Sequence, residues 1–302
     1  MTIAVIILTY NEEIHLERAL LSVASFADEV FVVDSYSKDR TVEVARANGA
    51  TVLQRVFDNQ ARQFNWALDT LDIHSAWIMR LDADEIIEPD LAEAIRRDLP
   101  RLPVDVVGVN LNRKHIFLGR WIRHGGRYPV VLLRLWRRGH GRVEDRWMDE
   151  HVVISGGRTV TLEGGFADHN LNDITYFIDK HNKYATREAV EVIGRRHGIF
   201  DSQSSIDAVS ASRQAAIKRW IKEKIYVRLP FGLGPFAYFT FRMTVQLGFL
   251  DGREGLIYHF LQGFWYRFLV GAKIVELERG LAGADGASAV RSRLRQLTGL
   301  NI

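Results

Sequence analysis

The chain has no cysteine among its 302 residues. That excludes a disulfide framework, a zinc–thiolate site and a thiol nucleophile, and it fits a reducing compartment. No G-x-x-x-x-G-K-[ST] loop occurs, which argues against a P-loop NTPase. No G-x-G-x-x-G follows the first apolar run, which argues against a dinucleotide-binding domain. No H-E-x-x-H zinc motif is present. The apolar run at 3–8 has no basic flank and no small-residue cleavage site, so a buried strand is expected there rather than a secretory leader. Residues 229–241 carry no charge, but 13 residues broken by Pro230 and Pro235 fall short of the roughly 20 apolar residues a spanning helix needs.

What is there is ordinary for a globular chain with a real core: 47% hydrophobic and 25% charged residues. The length allows one large α/β domain with an appendage, or two modest domains. The net charge is only +3, yet it is unevenly spread. Residues 113–142 hold nine Lys or Arg and no acid. A second cluster comprises Arg213, Lys218, Arg219, Lys222, Lys224 and Arg228. Such asymmetry points to an anionic partner, phosphate or acidic lipid, with a solvated basic face as the plain alternative. Nucleic acid is not expected, because no binding motif accompanies the charge.

The first hundred residues alternate strand and helix. Strands are expected at 3–8, 30–33, 51–56 and 77–81. Helices are expected after Asn11, a candidate cap with Leu16, Leu20, Val23 and Ala24 on one face, and at 39–47, 61–71 and 89–99. This order implies a mainly parallel sheet with helices on both faces, in which ligands bind beyond the carboxyl ends of the strands. Residues 106–160 read as strand-rich and 174–192 as helical. The Gly-, Ala- and Ser-rich stretch 280–289 reads as a flexible link. No solenoid repeat is found.

Three polar clusters fall at expected strand ends: Thr9-Tyr10-Asn11-Glu12, Asp34-Ser35 and Asp82-Ala83-Asp84-Glu85. Carboxylates are hard ligands suited to Mg²⁺ or Mn²⁺, and a site with one or two of them leaves positions open for phosphate oxygens. Such a cation stabilises the charge that builds on a diphosphate leaving group. An Asp-x-Asp alone is as readily an acidic turn; its place on a rim with two other polar clusters favours chemistry.

These motifs resemble the family-2 glycosyltransferases of the GT-A fold. The resemblance rests on Ile6-Ile7-Leu8-Thr9-Tyr10-Asn11-Glu12-Glu13, Val32-Val33-Asp34-Ser35 and Leu81-Asp82-Ala83-Asp84-Glu85, and is clearest over residues 3 to about 100. Weaker similarity continues through Trp147-Met148-Asp149-Glu150-His151 and Lys180-His181-Asn182-Lys183-Tyr184-Ala185. Phe249-Leu250-Asp251-Gly252 resembles the tails of bacterial enzymes of lipopolysaccharide-core and exopolysaccharide assembly.

The resemblance implies an α/β GT-A domain with a Rossmann-like, mainly parallel sheet at 1–205 (donor half about 1–105, acceptor half about 106–205) and a helical, aromatic-rich, membrane-associating extension at 206–302. It implies donor-pocket roles for Thr9, Tyr10, Asn11, Glu12 and Asn65, with Asp34 accepting a hydrogen bond from a base such as uracil. Asp82 and Asp84 hold Mn²⁺ or Mg²⁺, Asp84 as a direct ligand and Asp82 either on the metal or in contact with ribose or a metal-bound water. His169 is a further metal ligand, or else a hydrogen-bond partner only. Many relatives carry Arg where this chain has Phe64, and Arg62 is the expected substitute. Inversion needs a general base for the acceptor hydroxyl; Glu150 is favoured over Asp149, which a strand would turn to the opposite face. Arg127 and Arg134 are the expected forks for a phosphorylated or lipid-diphosphate acceptor.

The activity so implied is sugar transfer from a nucleotide sugar to a lipid-linked saccharide. It is expected on the inner face of a bacterial membrane, with the chain cytoplasmic and peripheral. The aromatics of 226–270 either dock on acidic lipid or pack on the catalytic domain. The rivals are a nucleotidyltransferase, whose glycine-rich Arg/Lys loop after the first strand is missing, and a non-catalytic nucleotide-sugar-binding module, against which the intact Asp82, Asp84 and Glu150 argue.

Overall fold

A computed structural model of the chain describes residues 1–145, 147, 150–200 and 232–302. These fall into two compact units, Met1–Leu171 and Asn172–Ile302. The boundary expected at 205/206 lies outside the described residues; the helix at 174–196, placed with the first domain by sequence, groups with the second unit.

The first unit is a large mixed sheet flanked by helices. Its strands are β1 (Ile3–Thr9), β2 (Glu29–Asp34), β3 (Thr51–Gln54), β4 (Trp77–Asp82), β5 (Glu85–Ile87), β6 (Val106–Phe117), β7 (Arg120–Ile122), β8 (Val130–Arg137) and β11 (Arg158–Asp168). The order is β3-β2-β1-β4-β8-β6-β11-β5, with β7 pairing β6. The small strands β9 (Gly141–Val143) and β10 (Val152–Ile154) pair separately. The helices are α1 (Leu16–Val23), α2 (Thr41–Ala47), α3 (Gln60–Thr70) and α4 (Pro89–Asp98).

The parallel half, β3-β2-β1-β4, is the βα alternation expected from sequence. Beyond it β8 runs antiparallel to both β4 and β6, and β11 is again parallel to β6. β1 shows why the parallel half is continuously apolar. Ile3, Val5 and Ile7 pack with Leu16, Leu20 and Val23 of α1 on one face, while Ala4 and Ile6 pack with Phe64 and Ala67 of α3 on the other. Successive side chains point to opposite faces, so a strand covered on both sides needs an unbroken run.

Two local expectations change. Asn11 does not cap α1: the helix starts at Leu16, after His15, whose side chain makes no cap bond. Asn11 sits instead at φ 55° and accepts the Lys38 N–H over 2.9 Å, tying the turn after β1 to the turn after β2. Asparagine tolerates this left-handed conformation better than most residues. The stretch at 113–142 is not a single solvated basic face either. Arg113 pairs with Asp168 at 3.6 Å, Lys114 with Glu88, and Arg142 with Asp69. Arg137 and Arg138 donate to the Val106 and Ile73 carbonyls, each at 2.8 Å.

The second unit is helical: α5 (Ile174–Arg196), α6 (Leu233–Thr244), α7 (Gly252–Tyr258), a π-helical turn (His259–Trp265), α8 (Tyr266–Gly280) and α9 (Gly286–Thr298). Asp173 caps α5 by accepting the Tyr176 N–H at 2.8 Å. α5 and α8 are joined by Tyr266, which donates to Glu188 Oε2 over 2.6 Å, and by the Arg196–Glu278 ion pair. The stretch expected as a flexible link is half helix, since α9 begins at Gly286. Among the tail aromatics Tyr258 is buried, while Phe236, Phe241, Phe249 and Phe260 are exposed. No described helix is long and apolar enough to cross a membrane. The basic cluster at 213–228 lies outside the described residues.

Candidate active site

The pairing directions bring the carboxyl ends of β1, β2, β3, β4, β6 and β11 to one edge of the sheet. Thr9 is in register with Asp34, and Leu8 with Asp82, so the first three polar clusters do converge. After β4 the turn at 83–84 carries the chain to β5, which pairs β11 with Glu85 opposite Asp168. The acidic turn therefore runs along the same rim.

At the ends of β1 and β2 Asp34 is fully buried and acts as a hub. It accepts from Thr9 Oγ1 (3.1 Å), Ser37 N (2.9 Å), Gln54 Nε2 (3.0 Å) and the Ser37 hydroxyl. Beneath it Gln63 is buried and exchanges hydrogen bonds with Ser35. Tyr10 is exposed at the mouth, where a planar base could stack on its ring. Glu12 takes a 2.6 Å bond from His15 Nδ1, and His15 Nε2 accepts the Leu171 N–H at 2.9 Å. These two bonds fix the imidazole with its proton on Nδ1.

At the end of β4 Asp82 faces two guanidiniums. Arg134 Nη2 donates to its Oδ2 at 3.0 Å, and Arg80 Nε lies 3.4 Å from its Oδ1. The same Arg134 nitrogen bonds Glu85, whose other oxygen accepts the Asp82 N–H at 3.0 Å. Burial works against the charge on Asp82, but Arg134 and Arg80 outweigh it and hold its carboxyl well below the usual range. Glu85 is 2% exposed, and burial pushes it up to about 8, with Asp82 adding to the rise and Arg134 opposing it. Arg134, expected to face an acceptor phosphate, is instead 7% exposed and locked between these two carboxylates.

Asp84 stands apart from that cluster. Its carbonyl accepts the His169 N–H at 2.9 Å, and its Oδ2 accepts Asn170 Nδ2 at 2.9 Å. His169 Nδ1 lies 3.4 Å from Arg18 Nη1, and Arg18 Nη2 donates to the His169 carbonyl at 3.0 Å. Burial and then the nearby Arg18 lower the His169 pKa, favouring the neutral imidazole that a metal requires. Among the described residues no group of three His, Asp or Glu is poised around one point. The donor chemistry nevertheless fits a divalent cation through Asp84 and His169, one carboxylate and one imidazole on residues joined by a backbone hydrogen bond. That leaves most positions for phosphate oxygens and water, the pattern such cations accept. Asp82 fits less well, since its oxygens already face two cations.

Other expected residues serve structural bonds. Asn65 donates to the Val143 carbonyl at 2.7 Å and accepts its N–H at 3.0 Å, clasping α3 to β9. Arg62 is exposed and pairs with Asp145 at 2.9 Å. Arg127 is half-buried in the loop before β8, and Glu150 is half-buried just before β10. Asp149 lies outside the described residues. Sequence reading missed Arg18, His15, Asn170 and Arg80. Arg18 and His15 sit three residues apart at the start of α1, a spacing that puts them on one side of a turn; nothing local says what they meet.

The glycosyl transferase family 2 model matches residues 4–166, more than half the chain. The chain belongs to that family. An uncharacterized glycosyltransferase of Rickettsia bellii (strain RML369-C) is 40% identical over 93 residues, 31% of this chain and 31% of the relative. One of Rickettsia typhi (strain ATCC VR-144 / Wilmington) is 36% identical over the same share of each chain, 31%. The family-2 chain thus aligns with about a third of the length of the curated relatives it matches. Among solved structures it is similar to glucosyl-3-phosphoglycerate synthase from Mycobacterium tuberculosis in complex with Mn²⁺, UDP and glucosyl-3-phosphoglycerate. That match has 23% identity and a TM-score of 0.32, over 38% of this chain and 44% of the other.

Proposed function

We propose that the chain is an inverting, metal-dependent hexosyltransferase that moves a sugar from a UDP-sugar to a lipid-linked saccharide in bacterial cell-surface polysaccharide or lipopolysaccharide synthesis. The observation that carries this reading is the meeting of Thr9, Asp34, Asp82 and the Asp84–His169 pair on one sheet edge. Tyr10 and the Asp34 cluster receive the base, and Asp82, oriented by Arg134 and Arg80, receives the ribose. Asp84 and His169 hold Mn²⁺ or Mg²⁺, which when bound offsets the charge of the diphosphate. Arg18 adds a fixed cation beside them. Glu150, with Asp149 as its alternative, takes the proton from the acceptor hydroxyl.

The acceptor half of the reading rests on composition. The cations at 213–228 and the aromatics that follow suit a protein working at an anionic membrane surface on the cytoplasmic side. Arg127 is the remaining candidate fork for the acceptor's phosphate. Thermal-shift screening of nucleotide sugars, with and without Mn²⁺, tests the donor side: a ligand at 100 times its Kd should add about 2.7 kcal/mol of stability. A metal-dependent shift with a UDP-sugar is expected. No shift with any nucleotide sugar would remove the reading.

A further inference from the structure

α6 is apolar on its exposed face as well as on its inner one, where Phe239 packs against Phe260 and Phe264. Its residues 233, 236, 237, 240, 241 and 244 recur at the three- and four-residue spacing of one helical face, and all are exposed. They are Leu, Phe, Ala, Thr, Phe and Thr. The one charge of the helix, Arg242, is turned inward and is 0% exposed. There its Nη1 donates to Gln262 Oε1 over 2.6 Å, and its guanidinium lies 5.6 and 5.7 Å from the rings of Tyr238 and Tyr258. A surface helix in water buries its apolar stripe and shows its charge.

The polar groups on the exposed face are also answered from within. Thr240 Oγ1 donates to the Phe236 carbonyl at 3.0 Å, and Thr244 Oγ1 to the Thr240 carbonyl at 2.7 Å. Threonine in a helix commonly makes this back-bond, as Thr186 does on α5, so the two hydroxyls leave no unmet donor on the face. The apolar surface continues past the helix, with Val245 68%, Leu247 46% and Phe249 56% exposed. Between residues 232 and 250 Arg242 is the one charged residue. Single exposed apolar side chains are common, but a continuous stripe marks an interaction surface.

We propose that this face, the exposed stripe of α6 with the turn at 245–249, is a monotopic membrane anchor that inserts into the acyl region of one bilayer leaflet. It rests on the membrane-surface part of the reading above and makes it specific. At 12 residues α6 is about 18 Å long, too short to span a hydrocarbon core of about 30 Å and suited to lying in its surface. The occupant is lipid rather than a second copy because of charge. The sequence just before the face, 213–228, holds six Lys or Arg against one Glu. Anionic headgroups above an acyl layer complement both parts, whereas a second copy brings the same positive charge.

The absence of cysteine makes the test direct. Phe241→Cys, labelled with an environment-sensitive fluorophore in the full chain, should brighten on phosphatidylcholine vesicles containing phosphatidylglycerol. It should be quenched by lipids spin-labelled on the acyl chain and stay quenched when salt is raised after binding. Ser288→Cys, exposed on α9, should show neither effect. Phe241→Glu with Val245→Glu should lower vesicle partition by about 100-fold while circular dichroism and the nucleotide-sugar thermal shift stay as in wild type. That last readout separates failure of the anchor from failure of the donor site. A label at 241 indifferent to vesicles overturns the proposal. So does quenching that salt abolishes, which leaves electrostatic docking alone. A response to protein concentration without lipid, with a dimer mass by light scattering, assigns the face to a second copy and also overturns it.

Discussion

His169 donates its backbone N–H to the carbonyl of Asp84 across 2.9 Å. This bond extends the β5–β11 ladder by one step and brings two residues with metal-compatible side chains into register, although 84 residues of chain lie between them.

Asp84 is the residue on which donor activation should depend. Asp84→Ala is expected to lower transfer on the order of 10³-fold by removing the metal-held leaving-group interaction, with the fold intact by circular dichroism. Near-normal turnover of the purified variant in metal-replete buffer would sink the assignment.

The base is tested within its pair. Glu150→Gln keeps shape and removes basicity, so kcat should fall by roughly 10²–10⁴-fold with donor binding unchanged. If Asp149→Asn proves crippling and Glu150→Gln mild, the choice is reversed; if both variants turn over normally, the base lies elsewhere.

Arg134 should matter to stability more than to acceptor affinity. Arg134→Met leaves Asp82 and Glu85 without their shared cation, and stripping one partner from a buried ion cluster costs about 3–5 kcal/mol. Urea unfolding at neutral pH should show that loss, and adding Asp82→Asn, which removes the carboxylate left unpaired, should recover part of it. A change in acceptor KM with unchanged stability would return Arg134 to the acceptor.

Glu85 also predicts a pH dependence. Its carboxyl is pushed from 4.5 up to about 8, chiefly by burial, so the native state favours its protonated form. The stability this contributes is fully present below pH 4.5 and is lost as pH rises through about 8. Asp82 runs the other way, because Arg134 and Arg80 overcome its burial; its contribution is present above 3.8 and is lost as pH falls further. Urea midpoints in chelator-containing buffer should therefore decline between about pH 5 and 8, and Glu85→Gln should flatten the decline. A wild-type profile that is flat or rising over that window contradicts the shift.

The sequence by itself determined the parallel half of the fold. The apolar run ending at Thr9, the one ending at Asp34 and the one ending at Asp82 are local patterns, and a βα alternation with right-handed crossovers leaves few ways to arrange them. It also placed the acidic turn on the rim, because strand ends of a parallel sheet share an edge. Only the tertiary structure decided which polar side chains meet there. Arg134 comes to Asp82 from 52 positions away, Arg18 to His169 from 151, and Asn65 to Val143 from 78. No periodicity encodes such pairs. In sequence Arg134 reads as a phosphate fork, and Arg242 is merely the first charge after the uncharged run 229–241. In the fold each is buried, because a guanidinium with carboxylates, an amide or aromatic rings around it can leave water, and whether it has them is settled by packing alone.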